Sequence, residues 1–246
     1  MSDLASRATA PALSLPPPYT LTTLRESGDA FAHACRHADR LGAGALVWVN
    51  RFDVAEFAVV LEPDEPLAAA RRAFFAAMNA LGDAIAFHAP PEKPLTFDWP
   101  DAIRIDGGLI GGGRLGWPGG SAEDAVPAWL VFAATIRLWR MEAGEPGVTP
   151  LLTALDEEGV EFPDAAPLIE SAARHLMSHF DSWRAHGFDA VGRAYLERLA
   201  VRKAGEGRRI DANGDLLLQG FAATAAERIP LVPALAKATW VEAIGA

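Results

Sequence analysis

The residues best placed to do chemistry stand around a single Trp-Pro pair. Asp98 and Asp101 put carboxylates on either side of Trp99-Pro100. Proline fixes the direction in which the chain continues, and an indole ring can form the wall of a ligand pocket. The same residues would also form a solvated turn with a packed tryptophan, and the pattern favours both interpretations equally. Asp98, Trp99 and Asp101 are therefore candidate ligand-binding residues.

A glycine-dense run follows directly, from Gly107 to Arg114. A phosphate-binding fingerprint needs glycines between a strand and a helix, with a lysine or an acid at a fixed distance. Here the glycines fall inside a hairpin pattern, so the run is weak as a nucleotide fingerprint. Glycines within a strand more often mark a place where a ligand or another backbone comes close. Gly111, Gly112 and Arg114 are therefore further candidates for ligand binding.

A second candidate cation, Arg51, lies between two apolar runs, in the segment 50–56. A loop at a strand end in an α/β sheet is a common binding position, and an arginine there can clamp a carboxylate or a phosphate. The alternative is a surface ion pair between Arg51 and Asp53.

The histidines and the single cysteine favour structural roles. His33 and His37, like His175 and His179, are four residues apart, a spacing that places two rings on one helix face in zinc sites. Neither pair has the glutamate of an H-E-x-x-H motif, and no third ligand is evident, so we predict no metal site. Cys35 falls on an apolar helix stripe and is expected to be a buried thiol rather than a nucleophile.

The periodicity of apolar residues predicts the elements that must position these candidates. Short apolar runs predict strands, with hairpin turns at Asp106-Gly107 and Asn213-Gly214. We predict strands over 45–49, 57–61, 102–105, 109–115 and 129–139, helices over 25–41, 66–87, 167–184 and 188–202, and a hairpin over 208–218.

The chain divides into three predicted parts. Residues 1–18 are small, polar and proline-rich, which predicts a flexible N-terminal tail. Residues 19–202 predict a mixed α/β (α+β) domain. Residues 203–246 predict a small β-rich C-terminal domain.

Composition and charge exclude several classes of protein. Half of the residues are hydrophobic and 22% are charged, which excludes disorder, and no apolar run approaches the roughly 20 residues of a membrane span. The net charge of -10 argues against nucleic-acid binding. A single cysteine and a start without a signal-peptide pattern predict a cytoplasmic protein. Only three of the 22 basic residues are lysines, namely Lys93, Lys203 and Lys237.

In its motifs the chain resembles the biotin/lipoate protein ligase family, and especially the biotin-ligase branch. That family has Lys-Trp-Pro-Asn-Asp, a turn, and Lys-hydrophobic-Ala-Gly-Ile, and the segment from Phe97 to Gly113 has the same layout. Other family features are the opening of the first helix, the closing helices and a C-terminal hairpin. They resemble segments 26–29, 155–160, 187–196 and 207–218, so the resemblance spans about residues 19–240.

The resemblance implies a mixed sheet packed with helices, a small SH3-like β C-terminal domain and, by analogy, a possible homodimer. It also implies ATP and biotin or lipoate as cofactors of an active enzyme. In that chemistry the acid reacts with ATP to form an acyl-adenylate, which a lysine on a carrier domain then attacks.

At the charged positions this sequence departs from the family pattern. Leu109 stands where the family has its active-site lysine, and Asp98 stands where a lysine precedes Trp-Pro. The family's Asn-Asp is Asp101-Ala102. The family's Gly-Arg-rich loop is reduced to 50–56, with Arg51 as its only cation. Ser27 lies in the segment that resembles the opening of the first helix.

Two classes of function follow. The first is a ligase that attaches biotin or lipoate to a carrier-protein lysine, with Arg51 and Arg114 as anion clamps. The second is a non-enzymatic member of the fold that binds a small carboxylic acid, an acyl-carrier domain or a protein partner. Neither involves a nucleic acid or a membrane. Only about 18 residues precede the ligase-like region, too few for a helix-turn-helix domain, so we do not expect transcriptional regulation. Replacing Leu109 and Asp98 by lysine would test how far the site has diverged.

Overall fold

A computed structural model describes residues 13–140, 151–161, 163–201, 205–220 and 225–244. Its main feature is a seven-stranded mixed sheet. The strands of this sheet are β1 (Thr20–Leu24), β2 (Ala45–Val49), β3 (Val54–Leu61), β4 (Leu95–Asp98), β5 (Ala102–Ile105), β6 (Gly108–Gly116) and β7 (Leu130–Arg137).

Seven helices accompany the strands in the described residues, and a second, small sheet follows near the C-terminus. The helices are α1 (Ala30–Leu41), α2 (Leu67–Ala70), α3 (Ala73–His88), α4 (Ala165–His186), α5 (Phe188–Arg198), α6 (Leu231–Leu235) and α7 (Thr239–Ile244). The small sheet consists of β8 (Gly207–Ile210), β9 (Leu216–Gln219) and β10 (Glu227–Ile229). The predicted α/β (α+β) class, with a mixed sheet packed with helices, is confirmed.

The strand order of the large sheet is β1-β2-β3-β7-β6-β5-β4. Only β1 and β2 run parallel; the other neighbours are antiparallel. This order places β6 and β7 side by side in the interior of the sheet, so the glycine run lies within the sheet and not at its edge.

The two faces of the sheet are covered differently, because side chains alternate along each strand. On β3, Phe57 and Val59 join the large core beneath α3 and α4, whereas Ala58 and Val60 join a smaller core beneath α1. We call the second side the α1 face. Helix α7 also packs on β6, in a separate cluster with Leu109.

Helix α1 begins at Ala30, and the predicted start at Arg25 is wrong. Asp29 has an extended backbone, and its side chain accepts a hydrogen bond from the backbone N–H of Ala32. Such an N-cap ends the non-helical segment before it. The predicted helix over 66–87 is divided into α2 and α3 at Arg71 and Arg72, whose guanidinium groups form ion pairs with glutamates.

The strands were predicted well where the apolar run is continuous and less well elsewhere. Strand β2 has the predicted bounds. Strand β3 begins at Val54 rather than at the predicted Phe57. The prediction began too late because the polar Glu56 interrupts the apolar run of this strand. Strands β1 and β4 are short edge strands that the sequence did not predict. The helix predicted over 188–202 begins at Phe188 as predicted but ends at Arg198. The predicted last residue, Arg202, lies outside the described residues.

The C-terminal segment contains the small sheet that the sequence predicted, with strand order β10-β9-β8. The predicted hairpin turns between Asp211 and Asp215, and Gly214 there has a φ of +86°. Two short helices, α6 and α7, follow this sheet. The division into domains at residues 202 and 203 stays a prediction.

The described part of the predicted tail lies against the rest of the protein. Leu13 and Leu15 pack on the large core, and the backbone N–H of Ser14 donates to Glu170. Residues 1–12 lie outside the described residues. No helix within the described ranges is long and apolar enough to cross a membrane.

Strand β6 depends on its glycines for close packing. Gly111 has a φ of +150°, and a Cβ placed there would lie 1.9 Å from the carbonyl oxygen of Thr135 on β7. A Cβ on Gly113 would lie 2.6 Å from Met78 Sδ. Side chains at these positions would push β7 and α3 away from β6.

We therefore expect Gly111→Ala to destabilise the fold by about 3 kcal/mol or more, from backbone strain together with overpacking. The free energy of unfolding measured in urea would show it. Gly119→Ala is the matched control, because a Cβ at Gly119 meets no atom within 4 Å. Equal stability of the two variants would contradict this view of β6.

Candidate functional site

A small groove lies on the α1 face of the sheet, between α1 and α7. It has a volume of about 130 Å³, below the roughly 300–1,000 Å³ of ordinary small-molecule pockets. Strands β3, β6 and β7 form its floor, the start of α1 forms one wall and α7 forms the other. The groove is lined by Gly28, Asp29, Phe31, Arg51, Glu56, Arg114, Ala133, Thr135 and Val241.

Arg114 is the cation that the groove presents without an ion partner. Its strand position is opposite Ala133, and its guanidinium carbon lies 4.1 Å from the centre of the Phe31 ring. No ion pair joins it to another described residue. The Phe31 contact is a cation–π interaction that leaves the edge of the guanidinium available for an anion.

Arg51 also lines the groove, but Asp53 already holds its guanidinium. Two hydrogen bonds join them, Nε to Oδ1 at 3.0 Å and Nη2 to Oδ2 at 2.6 Å. This pair lowers the pKa of Asp53, chiefly through the side-chain hydrogen bond from Arg51. The Arg51–Asp53 ion pair considered from the sequence is present, so Arg51 is less able than Arg114 to bind a further anion.

Glu56 is a groove residue that the sequence prediction missed. Its Oε1 accepts a hydrogen bond of 2.8 Å from the backbone N–H of Ala30, the first residue of α1. Burial raises the pKa of Glu56 above its usual value, and the nearby Asp29 raises it further, whereas the Ala30 bond, Arg51 and Arg114 act in the opposite direction. The alternation of Ala55, Phe57 and Val59 on the opposite face was the available signal that Glu56 lies within a strand.

Ser27 lies beside this groove rather than in it. It is exposed and lines an adjacent shallow depression. Gly28 and Asp29 line both this depression and the groove. The segment that resembles the opening of the family's first helix therefore does border the site.

Asp98 and Trp99 lie elsewhere. Asp98 Oδ2 accepts a hydrogen bond of 2.6 Å from Arg104 Nε, and the Trp99 ring stacks on Phe75 with centroids 5.7 Å apart. Both line a cavity of about 240 Å³ next to the small sheet. The structure therefore separates these two residues from Arg51 and Arg114.

Asp101 is buried beneath α7. It is 6% exposed, and burial raises its pKa from 3.8 to about 6. The indole N–H of Trp240 draws that pKa down in part. Neither Trp240 Nε1 nor Asp101 Oδ2, however, has a hydrogen bond of ordinary geometry with a described residue.

Leu109, at the position that resembles the family's lysine, is covered by apolar side chains. It is 8% exposed, in a cluster with Ala102, Trp240 and Ile244. A lysine there would have its ammonium buried among carbon atoms, which is costly without a partner. The substitution considered from the sequence would therefore disturb the fold as well as the site.

The described lysines lie away from the groove. Lys93 forms ion pairs with Asp106 at 2.8 Å and with Glu158 at 2.9 Å, and Lys237 is exposed just before α7. Lys203 lies outside the described residues. Within the described ranges, the groove contains no lysine.

The histidine pairs take part in contacts between side chains. His179 Nε2 lies 2.7 Å from Asp83 Oδ2, and Arg198 Nη2 lies 2.5 Å from Asp83 Oδ1, so this cluster joins α3, α4 and α5. The rings of His33 and His37 contact each other edge to face, with centroids 4.7 Å apart. No group of three or more metal-ligating side chains was found in the described part of the chain.

Cys35 is half-buried rather than fully buried, and burial raises the pKa of its thiol to about 11. A thiol with a raised pKa is a poor nucleophile at neutral pH.

A separate cavity, of about 630 Å³, lies near the end of β3, against α4. None of the predicted site residues lines it.

A mixed sheet with a glycine-rich hairpin under a groove, next to a small C-terminal sheet, defines a protein with the biotin-ligase fold. The family model for the biotin/lipoate A/B protein ligase family matches residues 15–197. The chain belongs to the biotin/lipoate A/B protein ligase family.

Individual relatives agree with this assignment. A biotin–[acetyl-CoA-carboxylase] ligase of Paracoccus denitrificans is 27% identical over 210 residues, which cover 79% of this chain and 85% of that protein. A solved biotin protein ligase-like protein of unknown function from Silicibacter sp. TM1040 has a TM-score of 0.76 and 29% identity, over 91% of this chain and 99% of that one.

The biotin protein ligase of Aquifex aeolicus shares the fold at lower identity. Its apo structure has a TM-score of 0.67 and 13% identity, over 88% of this chain and 97% of that one. Its structure in complex with biotin and ATP has a TM-score of 0.65 and 12% identity, over 87% of this chain and 96% of that one.

The groove in this chain does not fit those two ligands. A triphosphate needs several cations, but the groove offers one unpaired guanidinium next to the carboxyl groups of Asp29 and Glu56. Like charges about 4 Å apart repel by about 4 kcal/mol at an effective dielectric constant near 20. A bicyclic acid such as biotin also needs more room than about 130 Å³.

The buried Asp101 predicts a pH dependence of stability. Because its pKa in the folded state exceeds 3.8, the folded state binds more protons than the unfolded state between about pH 4 and pH 6. The stability associated with this proton is complete below about pH 4 and is lost as the pH rises through 6. The difference corresponds to roughly 3 kcal/mol.

We expect Asp101→Asn to flatten the fall in melting temperature between pH 4 and pH 7, because the amide cannot ionise. Thermal melts of both proteins across this range would measure it. Asp124→Asn is the control at an exposed carboxylate, and it should keep the slope of the wild type. An unchanged slope in Asp101→Asn would contradict the assignment.

Proposed function

We propose that this protein binds a small carboxylic acid in the groove on the α1 face, and that it does not join this acid to a carrier through ATP. The observation that carries the proposal is Arg114, a guanidinium without an ion partner among the described residues, on the floor of a small, partly apolar groove. A carboxylate can accept two parallel N–H bonds from such a group.

We infer from Leu109 that the protein does not ligate the acid to a carrier. This residue stands in the place of the family's lysine and is packed against Trp240 and Ile244. The described residues supply no second free cation in the groove, since Asp53 holds Arg51. Stabilising the charge of an adenylation reaction requires donors already aimed at the reacting group.

Carboxylate binding should depend on Arg114. We expect Arg114→Gln to weaken the binding of acetate, propionate or butyrate at least tenfold, because it removes a charge-assisted hydrogen bond worth about 1.5–3 kcal/mol. Titration calorimetry measures the affinity. Arg174→Gln, at an exposed position on α4, is the control, and butyramide controls for the charge of the ligand. Undiminished binding by Arg114→Gln would rule out the clamp.

Binding should also strengthen as the pH falls towards the pKa of Glu56. Burial raises the pKa of Glu56, so it becomes neutral at a higher pH than an ordinary glutamate and then ceases to repel the bound carboxylate. Glu56→Gln should bind more tightly than the wild type at pH 8 and should depend less on pH. It retains an oxygen acceptor for the Ala30 N–H.

Glu62→Gln is the control for this second test, because Glu62 accepts from the backbone N–H of Ala43, just beyond the opposite end of α1. It should behave as the wild type. Weaker binding by Glu56→Gln at pH 8 would show that Glu56 assists the ligand instead of repelling it.

Family membership favours a second candidate, an active ligase for biotin or lipoate with ATP as co-substrate and a carrier-domain lysine as acceptor. ATP–pyrophosphate exchange stimulated by biotin or lipoate tests it in one step. Exchange above background would overturn the first proposal. Binding of short acids without exchange would overturn the second.

A further inference from the structure

Helix α7 covers the half of the α1 face that α1 leaves free. Trp240 is 2% exposed and lies against strand β6 at Gly112, a position without a side chain. A Cβ on Gly112 would lie 2.7 Å from Trp240 Cε2 and 2.9 Å from Trp240 Nε1. The indole can therefore occupy this place only because residue 112 is a glycine.

The place that Trp240 fills adjoins two residues of the groove. Gly112 pairs with Thr135 across the two strands, and Thr135 forms part of the groove floor. Val241, the residue after Trp240, forms part of the groove wall. The indole therefore lies next to the groove, on the same surface of the sheet.

No hydrogen bond to a described residue holds the indole in place. Trp240 Nε1 and Asp101 Oδ2 are both buried without a partner of good geometry, although buried polar groups normally have one. The ring is held by shape and by apolar neighbours such as Leu109 and Ala102. A smaller apolar residue in its place would leave open space over Gly112.

We propose that Trp240 determines the length of the acid that this protein accepts. With Trp240 in place, a carboxylate bound at Arg114 has room only for a short chain, so the ligand is a short-chain monocarboxylic acid. Without the indole, the chain of the acid extends over Gly112 towards Asp101 and Leu109. This inference rests on the proposed function, because it assumes that the carboxylate binds at Arg114.

The test is the dependence of affinity on chain length. Titration calorimetry with the linear acids from acetate to octanoate, and with biotin and lipoate, is carried out on the full-length wild type, Trp240→Leu and Trp240→Ala. The leucine variant retains an apolar contact and is included in case alanine loosens α7. Ile244→Ala is the matched control, because it truncates the other buried residue of α7 without opening space over Gly112. Thermal melts establish that each variant is folded.

We expect the wild type to bind propionate or butyrate best and to bind octanoate at least tenfold more weakly. Trp240→Leu and Trp240→Ala should shift the optimum by three or more carbon atoms, and Ile244→Ala should keep the profile of the wild type. The same profile in the wild type and in folded Trp240 variants would overturn the inference while leaving the acid site in place.

Other outcomes separate the two proposals. If no acid binds to the wild type or to any variant, both proposals are wrong. If the wild type binds none but the Trp240 variants bind octanoate or biotin, the role of Trp240 is supported, and the proposed natural ligand is wrong. A shift of the optimum in Ile244→Ala equal to that in the Trp240 variants would assign the effect to loosening of α7 and overturn the role of the indole.

Discussion

The close approach of other groups to the glycines of β6 is the constraint on which the rest of the structure depends. Because Gly111 has no side chain, the carbonyl of Thr135 can lie against it and hold β7 in register. Because Gly113 has none, Met78 of α3 packs directly on the strand. Gly112 accommodates the ring of Trp240 in the same way. Strand β6 thereby sets its distance from β7 and from the helices that pack on its two faces, α3 and α7.

The groove is a consequence of this arrangement. Helix α1 covers one half of the α1 face and α7 covers the other, so what remains between them is a narrow opening above Glu56, Thr135 and Arg114. Its chemistry is set by a shortage of free cations. Acidic residues outnumber basic ones by 32 to 22, and carboxylates hold two arginines near the sheet, Arg51 and Arg104. Arg114 is an exception because its neighbour is an aromatic ring.

This chain has the fold of its family, and its hairpin is built largely from small and apolar residues. Packing at the hairpin requires small and apolar side chains in the right order, and the segment from Phe97 to Gly113 has such an order. Leu109 belongs to an apolar cluster with Ile244, so it contributes to the stability of the C-terminal helix.

The sequence by itself determined the class of fold, the hairpin, the buried strand β2 and the scarcity of lysine, because these depend on local pattern and residue identity. It also identified Arg114 and Gly112 as candidates. Only the tertiary structure decided which candidates meet. Asp98 and Asp101 are three residues apart, yet one lies on the surface with Arg104 and the other beneath Trp240. Glu56 and Trp240 escaped prediction because a groove is formed by residues distant in the chain, and local periodicity carries no information about which elements pack together.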